Sequence, residues 1–332
     1  MVAGVLLIAS FAAMVAGALV FTNAVEWLGA RLDLGHAAVG SVLAGVATAM
    51  PESLIPVVAI IGGRQGDEIA IGAVVGAPFL LATLAMAVSG GAAVAYCSRR
   101  GSTRLQPDRQ ATTRDLLLVV GAVSLAIAVG LLGSAVLRIA GAIVLLTAYA
   151  LVTWKTIVRA RQEGAGAEPA RLYFNTVKRD PPSMFQVLAQ TLVSLGLLIG
   201  AAQLFVTSVE HLAHGLGADE LMLTLIIAPL ATELPEKLNS VVWVRQGKDT
   251  LAVGNITGAM VFQTMPLAAF GMTFTSWQLT APALLAMLTA LVGATLSLIT
   301  LRRPGGWPVP FIGCWAALYV GGLASIIEVA RP

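Results

Sequence analysis

Ten stretches of the chain keep their apolar residues together long enough to cross a bilayer, with polar residues gathered between them. A crossing helix needs roughly 20 apolar residues. That ruler places spans near 3–29, 36–62, 68–96, 114–132, 135–157, 184–213, 219–244, 249–274, 278–301 and 309–329. The expected fold is therefore an all-α integral membrane protein with ten transmembrane helices. The opening stretch, MVAGVLLIASFAAM, has no basic segment ahead of it and no small-residue cleavage site, so it reads as a span rather than a signal peptide. The longest polar connection, 158–183, is rich in charge, Gly and Pro and reads as a cytoplasmic linker. It separates residues 1–157 from 184–332, with five spans in each part.

Two spans interrupt the apolar pattern in the same way. Residues 44–56 read AGVATAMPESLIP and residues 228–240 read APLATELPEKLNS. Within them ATAMPES (47–53) and ATELPEK (231–237) agree at Ala, Thr, Pro and Glu. Downstream, RQGDEIAIGAVVGA (64–77) matches RQGKDTLAVGNITGA (245–259) with one inserted residue. Apolar helices share Ala, Gly and Leu by chance, but T-x-x-P-E and R-Q-G are polar or helix-breaking identities kept in order, the signature of an internal repeat. Both copies fall on the second and third spans of a five-span half. An odd number of spans per half gives the halves opposite orientation, so two inverted five-helix repeats are expected. Many secondary transporters are built this way, with substrate bound at the midplane between the repeats.

Composition changes the picture little. The chain is 58% hydrophobic and 11% charged, where soluble domains carry about 25% charged residues. The net charge of +3 does not point to nucleic acid, because no basic stripe lies on a soluble module. The basic residues instead sort by side. With the N-terminus outside, the inner loops hold all 20 Lys and Arg except Arg64, Arg138, Arg331 and the intramembrane Lys237. The positive-inside rule thus puts both termini on the extracytoplasmic face of a cell membrane. Cys97 and Cys314 lie in different spans and make no metal or redox motif.

The candidate chemistry sits where the two motifs fall. Glu52 is about seventeenth in a span of about 27 residues and Glu236 about eighteenth in one of about 26, so both lie near mid-membrane. An acid there costs at least about 2.5–3.5 kcal/mol on insertion scales and is retained when it faces a partner or a pathway. Two such acids brought together repel unless a cation or protons stand between them, and a hard divalent cation suits oxygen ligands. A single buried, protonated Glu used for packing would explain one acid but not a symmetric pair. Pro51 and Pro235 are expected to break their helices, freeing carbonyls around 47–48 and 231–232 to line a cavity. The pairs Gly72/Gly76 and Gly254/Gly258 let helices approach closely, bringing the third and eighth spans against the broken ones.

These residues resemble the sodium/calcium exchanger superfamily of cation antiporters. Its alpha-repeats carry a G-T-S-L-P-E-like motif followed by a G-N-x-x-G-S-N-like motif. Here they read ATAMPE then GAVVGAP, and ATELPE then GNITGAM. The resemblance implies a calcium site made by the carboxylates of Glu52 and Glu236 and the backbone oxygens of Thr48 and Thr232. It also implies alternating access by sliding of the first and sixth spans. The sodium positions match badly, with Ala49 and Glu233, Ala77 and Ala259, and Leu81 and Gln263 where side-chain oxygens are expected. Gln263, Asn255, Glu233 and Lys237 remain as candidates to line the site or hold a coupling ion. Glu233 adds a third acid able to take up and release protons, so proton rather than sodium is the expected counter-ion. Lys237, four residues on, can pair with it on one helix face, point away, or enter the site as a tethered cation.

The expected activity is therefore antiport of Ca2+ or another divalent cation against H+ or Na+. Membrane lipid and the transported ions are its partners, and no bound cofactor is expected. A membrane-embedded enzyme or a cation channel using the same acids are the alternatives, although no HExxH or GxSxG motif occurs. Glu210, His211 and His214 have metal-like spacing at a span end and read as an amphipathic ending. Asn23, Glu26 and Asn239 are placed as possible path-lining residues.

Overall fold

The computed structural model describes residues 2–31, 49–62, 66–163, 170–175, 181–217, 219–301 and 305–330. Ten helices of 13 residues or more follow one another among these residues, with one short helical turn, Cys97–Arg100, between the third and fourth. They are α1 (Val2–Arg31), α2 (Met50–Gly62), α3 (Gly66–Ala95), α4 (Arg109–Leu132) and α5 (Ala135–Glu163). Then come α6 (Met184–Leu216), α7 (Glu220–Arg245), α8 (Asp249–Phe274), α9 (Ala281–Leu301) and α10 (Pro310–Val329). Eight of them are long and apolar enough to cross a membrane; α2 is apolar but described over only 13 residues, and α7 has the length but carries Glu220, Glu233, Glu236, Lys237 and Arg245. The chain is a multi-pass helical membrane protein. Helix α5 runs on to Glu163, so the polar connection begins later than its composition predicts.

Burial varies with position in the bundle. The apolar window of α3 is 94% buried whereas that of α10 is 11% buried, so α3 is a central helix and α10 a peripheral one. Val136, Val320 and Phe185 stand exposed on outer helices, as lipid-facing side chains do. One large core joins α3–α5 with α7–α10; a second joins α1, α2 and α6 to the first half of α3 and to Ala228. Helices α1 and α6 pack chiefly on each other, as with the Phe11 and Phe205 rings, whose centroids are 5.6 Å apart.

The ends of α3 and α8 are tied reciprocally. Asp67, at the start of α3, accepts the backbone N–H of Ser276 just past the end of α8, at 2.8 Å. Asp249, the matching residue at the start of α8, accepts from the Arg100 guanidinium at 2.6 Å and from the N–H of Gln106 at 2.8 Å, both past the end of α3. The two helices therefore run antiparallel. The Arg100 and Asp249 side chains are only 4% and 7% exposed, and removing one partner of such a pair leaves an uncompensated buried charge. Arg100→Met is expected to cost about 3 kcal/mol, read as a fall in the apparent Tm in detergent.

The segment 170–175 is clamped onto α1 and α6. Asn23 Nδ2 donates to the Ala170 carbonyl at 3.0 Å, and Gln190 Nε2 donates to Asn23 Oδ1 at 3.0 Å. Gln190 Oε1 accepts the N–H of Phe174 at 2.8 Å, and Leu172 is buried beneath. Asn23 is thus occupied as a brace between two helices and the connection, rather than left to line an access path.

Candidate functional site

Glu52 lies in the first turn of α2 and is 5% exposed. A carboxylate in a first helical turn is favoured by the exposed backbone N–H groups and the positive end of the helix dipole. Pro51 shares that turn, where its missing N–H costs nothing. Around Glu52 the helix is apolar, with Ile55 and Ala59 fully buried. Thr48 lies outside the described residues.

Helix α7 differs from the sequence expectation. It starts at an Asp219 cap, whose side chain accepts the N–H of Met222 at 2.7 Å. It then continues without a break through Pro229 and Pro235 to Arg245. Proline removes one helical donor but does not oblige a membrane helix to stop, because packed neighbours hold the turn. The consequence is confined to carbonyls such as that of Ala231, which Pro235 gives no N–H. The Thr232 hydroxyl turns back onto its own helix and donates to the Ala228 carbonyl at 3.1 Å. The side chains of Glu236 and Asn239 lie outside the described residues.

Glu233 and Lys237 face the interior together. Lys237 Nζ is 3.3 Å from Glu233 Oε2, one helical turn away, with both side chains no more than 2% exposed. The other carboxylate oxygen, Oε1, accepts from the Gln263 amide of α8. Gln263 opens a π-helical turn, Gln263–Leu267. Asn255 lies two turns earlier on α8, half-buried, and its Nδ2 has no hydrogen-bond partner among the described residues. Five of the eight sequence candidates thus have described side chains on α7 and α8 or their contact (Glu233, Lys237, Gln263, Thr232 and Asn255), and the first three meet directly.

The two helices that follow the motifs share a local feature. Helix α3 has its own π turn at Leu81–Ala85, beginning five residues after Gly76, just as the turn at Gln263 begins five residues after Gly258. Such turns often mark functional positions. The glycine pairs behave differently, however. A Cβ on Gly72 would stand 2.7 Å from the Leu221 carbonyl oxygen, and one on Gly76 would overlap the Leu225 carbonyl oxygen and stand 2.8 Å from Pro229 Cγ. Pro229 denies the Leu225 carbonyl its helical donor, and Gly76 lets α3 close onto that spot. Gly254 and Gly258 meet nothing within 4 Å among the described residues. Among the described residues, close approach therefore holds for the third span.

Sequence reasoning missed Asp115. It sits buried on α4 and accepts the hydroxyl of Thr257 at 3.0 Å, tying α4 to α8 beside the second glycine pair. A lone aspartate at the start of an apolar run, six residues before Gly121, gave no periodic signal. His211 and His214 are exposed, and no group of three metal-binding side chains occurs among the described residues. A depression of about 820 Å3 lined by Arg109, Gln110, Thr113 and Arg114 lies at the start of α4 and contains none of the site acids.

The profile of the sodium/calcium exchanger protein family matches residues 2–158 and 187–327. The chain belongs to this family. A relative named as an antiporter, CaxA of Alkalimonas amylolytica, is 31% identical over 91 residues, 27% of this chain and 28% of that protein's length. Among solved structures, the H+/Ca2+ exchanger CAX superposes with a TM-score of 0.66 at 17% identity, covering 98% of this chain and 90% of that one. Native YfkE gives 0.68 at 16% identity, over 99% and 100% of the two chains. The sodium-calcium exchanger NCX_Mj gives 0.58 at 18% identity, over 98% of each. At these identities the superpositions establish that the exchanger family's fold extends over essentially the whole chain.

Proposed function

We propose that this exchanger-family chain is a secondary active antiporter, carrying Ca2+ or another divalent cation against H+ or Na+ by alternating access. Glu52 and Glu236 supply two carboxylates near the midplane, and the backbone oxygens of Thr48 and Thr232 complete the coordination. The observation that carries this reading is Glu52, a buried carboxylate in an apolar membrane segment whose sequence counterpart lies on α7. An acid at this depth is retained where it faces a partner or a pathway, and coordination of a transported cation fits that placement.

Two inverted five-helix repeats, 1–157 and 184–332, joined by the 158–183 linker, give this site its symmetry. The antiparallel run of α3 and α8 and their matched π turns support that arrangement. Helices α1 and α6, packed mainly on each other, are the pair that slides across the rest. Both termini lie outside the cell. The choice of ions is supported by the names of similar proteins, an H+/Ca2+ exchanger and a sodium-calcium exchanger.

Calcium uptake into reconstituted vesicles tests this directly. Uptake is expected to require an outward proton or sodium gradient and to stop when that gradient is collapsed. A calcium current that flows without any counter-ion would replace antiport by a channel.

A further inference from the structure

The third acid of the site region has a resident cation. Glu233 presents one oxygen to Lys237 Nζ at 3.3 Å and the other to the Gln263 amide. Gln263 is 1% exposed, and its own carbonyl oxygen Oε1 has no hydrogen-bond partner among the described residues. Two carboxylate oxygens and a nearby amide oxygen, enclosed away from solvent, are the donor set of a small monovalent cation. Here an ammonium group already stands against it.

Resting on the antiport reading above, we propose that Lys237 is a tethered monovalent cation that occupies the field of Glu233 and thereby excludes sodium from the exchange. The physical reason is local neutrality. A carboxylate at this depth needs one positive charge beside it. A lysine one turn along the same helix supplies that charge intramolecularly, at an effective concentration no dissolved ion matches. Sodium has nothing left to neutralise at Glu233, so the ion specificity of transport falls to the remaining acids. Through Gln263, Glu233 also touches the π turn of α8, so an ion drawn to Glu233 would meet both helices. A purely structural ion pair makes a different prediction: losing Lys237 would weaken the protein equally in every salt.

The test compares wild type, Lys237→Met and the double variant Glu233→Gln/Lys237→Met. Thermal unfolding in detergent is measured in NaCl and in choline chloride of equal ionic strength, together with calcium uptake under sodium or proton gradients. Wild type and the double variant are expected to unfold at the same temperature in both salts. Lys237→Met is expected to gain several degrees in NaCl, and its calcium uptake to become sodium-dependent by about tenfold. A sodium-specific shift in wild type, sodium-driven uptake by wild type, or equal Tm in both salts for Lys237→Met would overturn the proposal. If Lys237→Met is not recovered folded in choline, recovery in NaCl alone supports it and recovery in neither salt overturns it. Failure of all three proteins to take up calcium under either gradient would reject the antiport reading, while the sodium-specific thermal shift would still decide the role of Lys237.

Discussion

Glu52→Gln is expected to lower gradient-driven calcium uptake by about a hundredfold or more while leaving the protein folded. Glutamine keeps the shape of the side chain and removes its charge, so the loss falls on cation binding. A hundredfold corresponds to about 2.7 kcal/mol, well within what one charge contributes to a cation a few ångströms away in a medium less polar than water. The side chain is 5% exposed in an apolar helix, where an acid is retained when it faces a partner or a pathway. The same substitution is expected to leave the protein folded in the absence of calcium. It should also abolish the rise in Tm that calcium gives the wild type. Glu236→Gln is expected to behave alike. Full uptake by either variant would remove the proposed site, whereas loss of uptake with a lowered calcium-free Tm would point to damaged packing.

Gly76→Val is expected to leave little protein that can be purified folded, and Gly76→Ala to cost about 1–3 kcal/mol or more, the usual range for overpacking. The obstacle is backbone. The new Cβ would overlap the Leu225 carbonyl oxygen and press on Pro229, and neither can turn aside as the end of a flexible side chain would. Relief requires α3 and α7 to separate, although α3 is the most buried of the eight candidate spans. Gly258→Ala, at the matching position of the other repeat, meets nothing within 4 Å among the described residues and is expected to change the Tm by less than about 0.5 kcal/mol equivalent. Detergent melting curves of the three variants decide the point. Equal losses at Gly76 and Gly258 would mean that the two glycine pairs share one role.

Much of the scaffold could be read from the chain because its causes are local. Long apolar runs demand helices in lipid, and their ends lie close to those expected from about 20 residues per crossing. The T-x-x-P-E and R-Q-G identities survive as text, so the correspondence of residues 47–53 with 231–237 required no coordinates. The proline expectation failed at Pro235 for a physical reason. A single missing N–H weakens a helix, but whether the helix stops depends on what packs against it, and α7 continues. Asn23 illustrates the same limit: a polar residue within a span is conspicuous in sequence, yet its partners Ala170 and Gln190 lie far along the chain.

The sequence by itself determined a multi-pass helical membrane protein, its family, and the repeated motifs carrying its intramembrane acids, because span length, hydropathy and residue order are written in neighbouring positions. Only the tertiary structure decided that Glu233 meets Gln263, that Gly76 sits at a tight crossing, and that α3 and α8 tie their ends together through Asp67 and Asp249. Each of these depends on which faces of two distant helices meet. That is set by the packing of the whole bundle, which no local pattern of residues encodes.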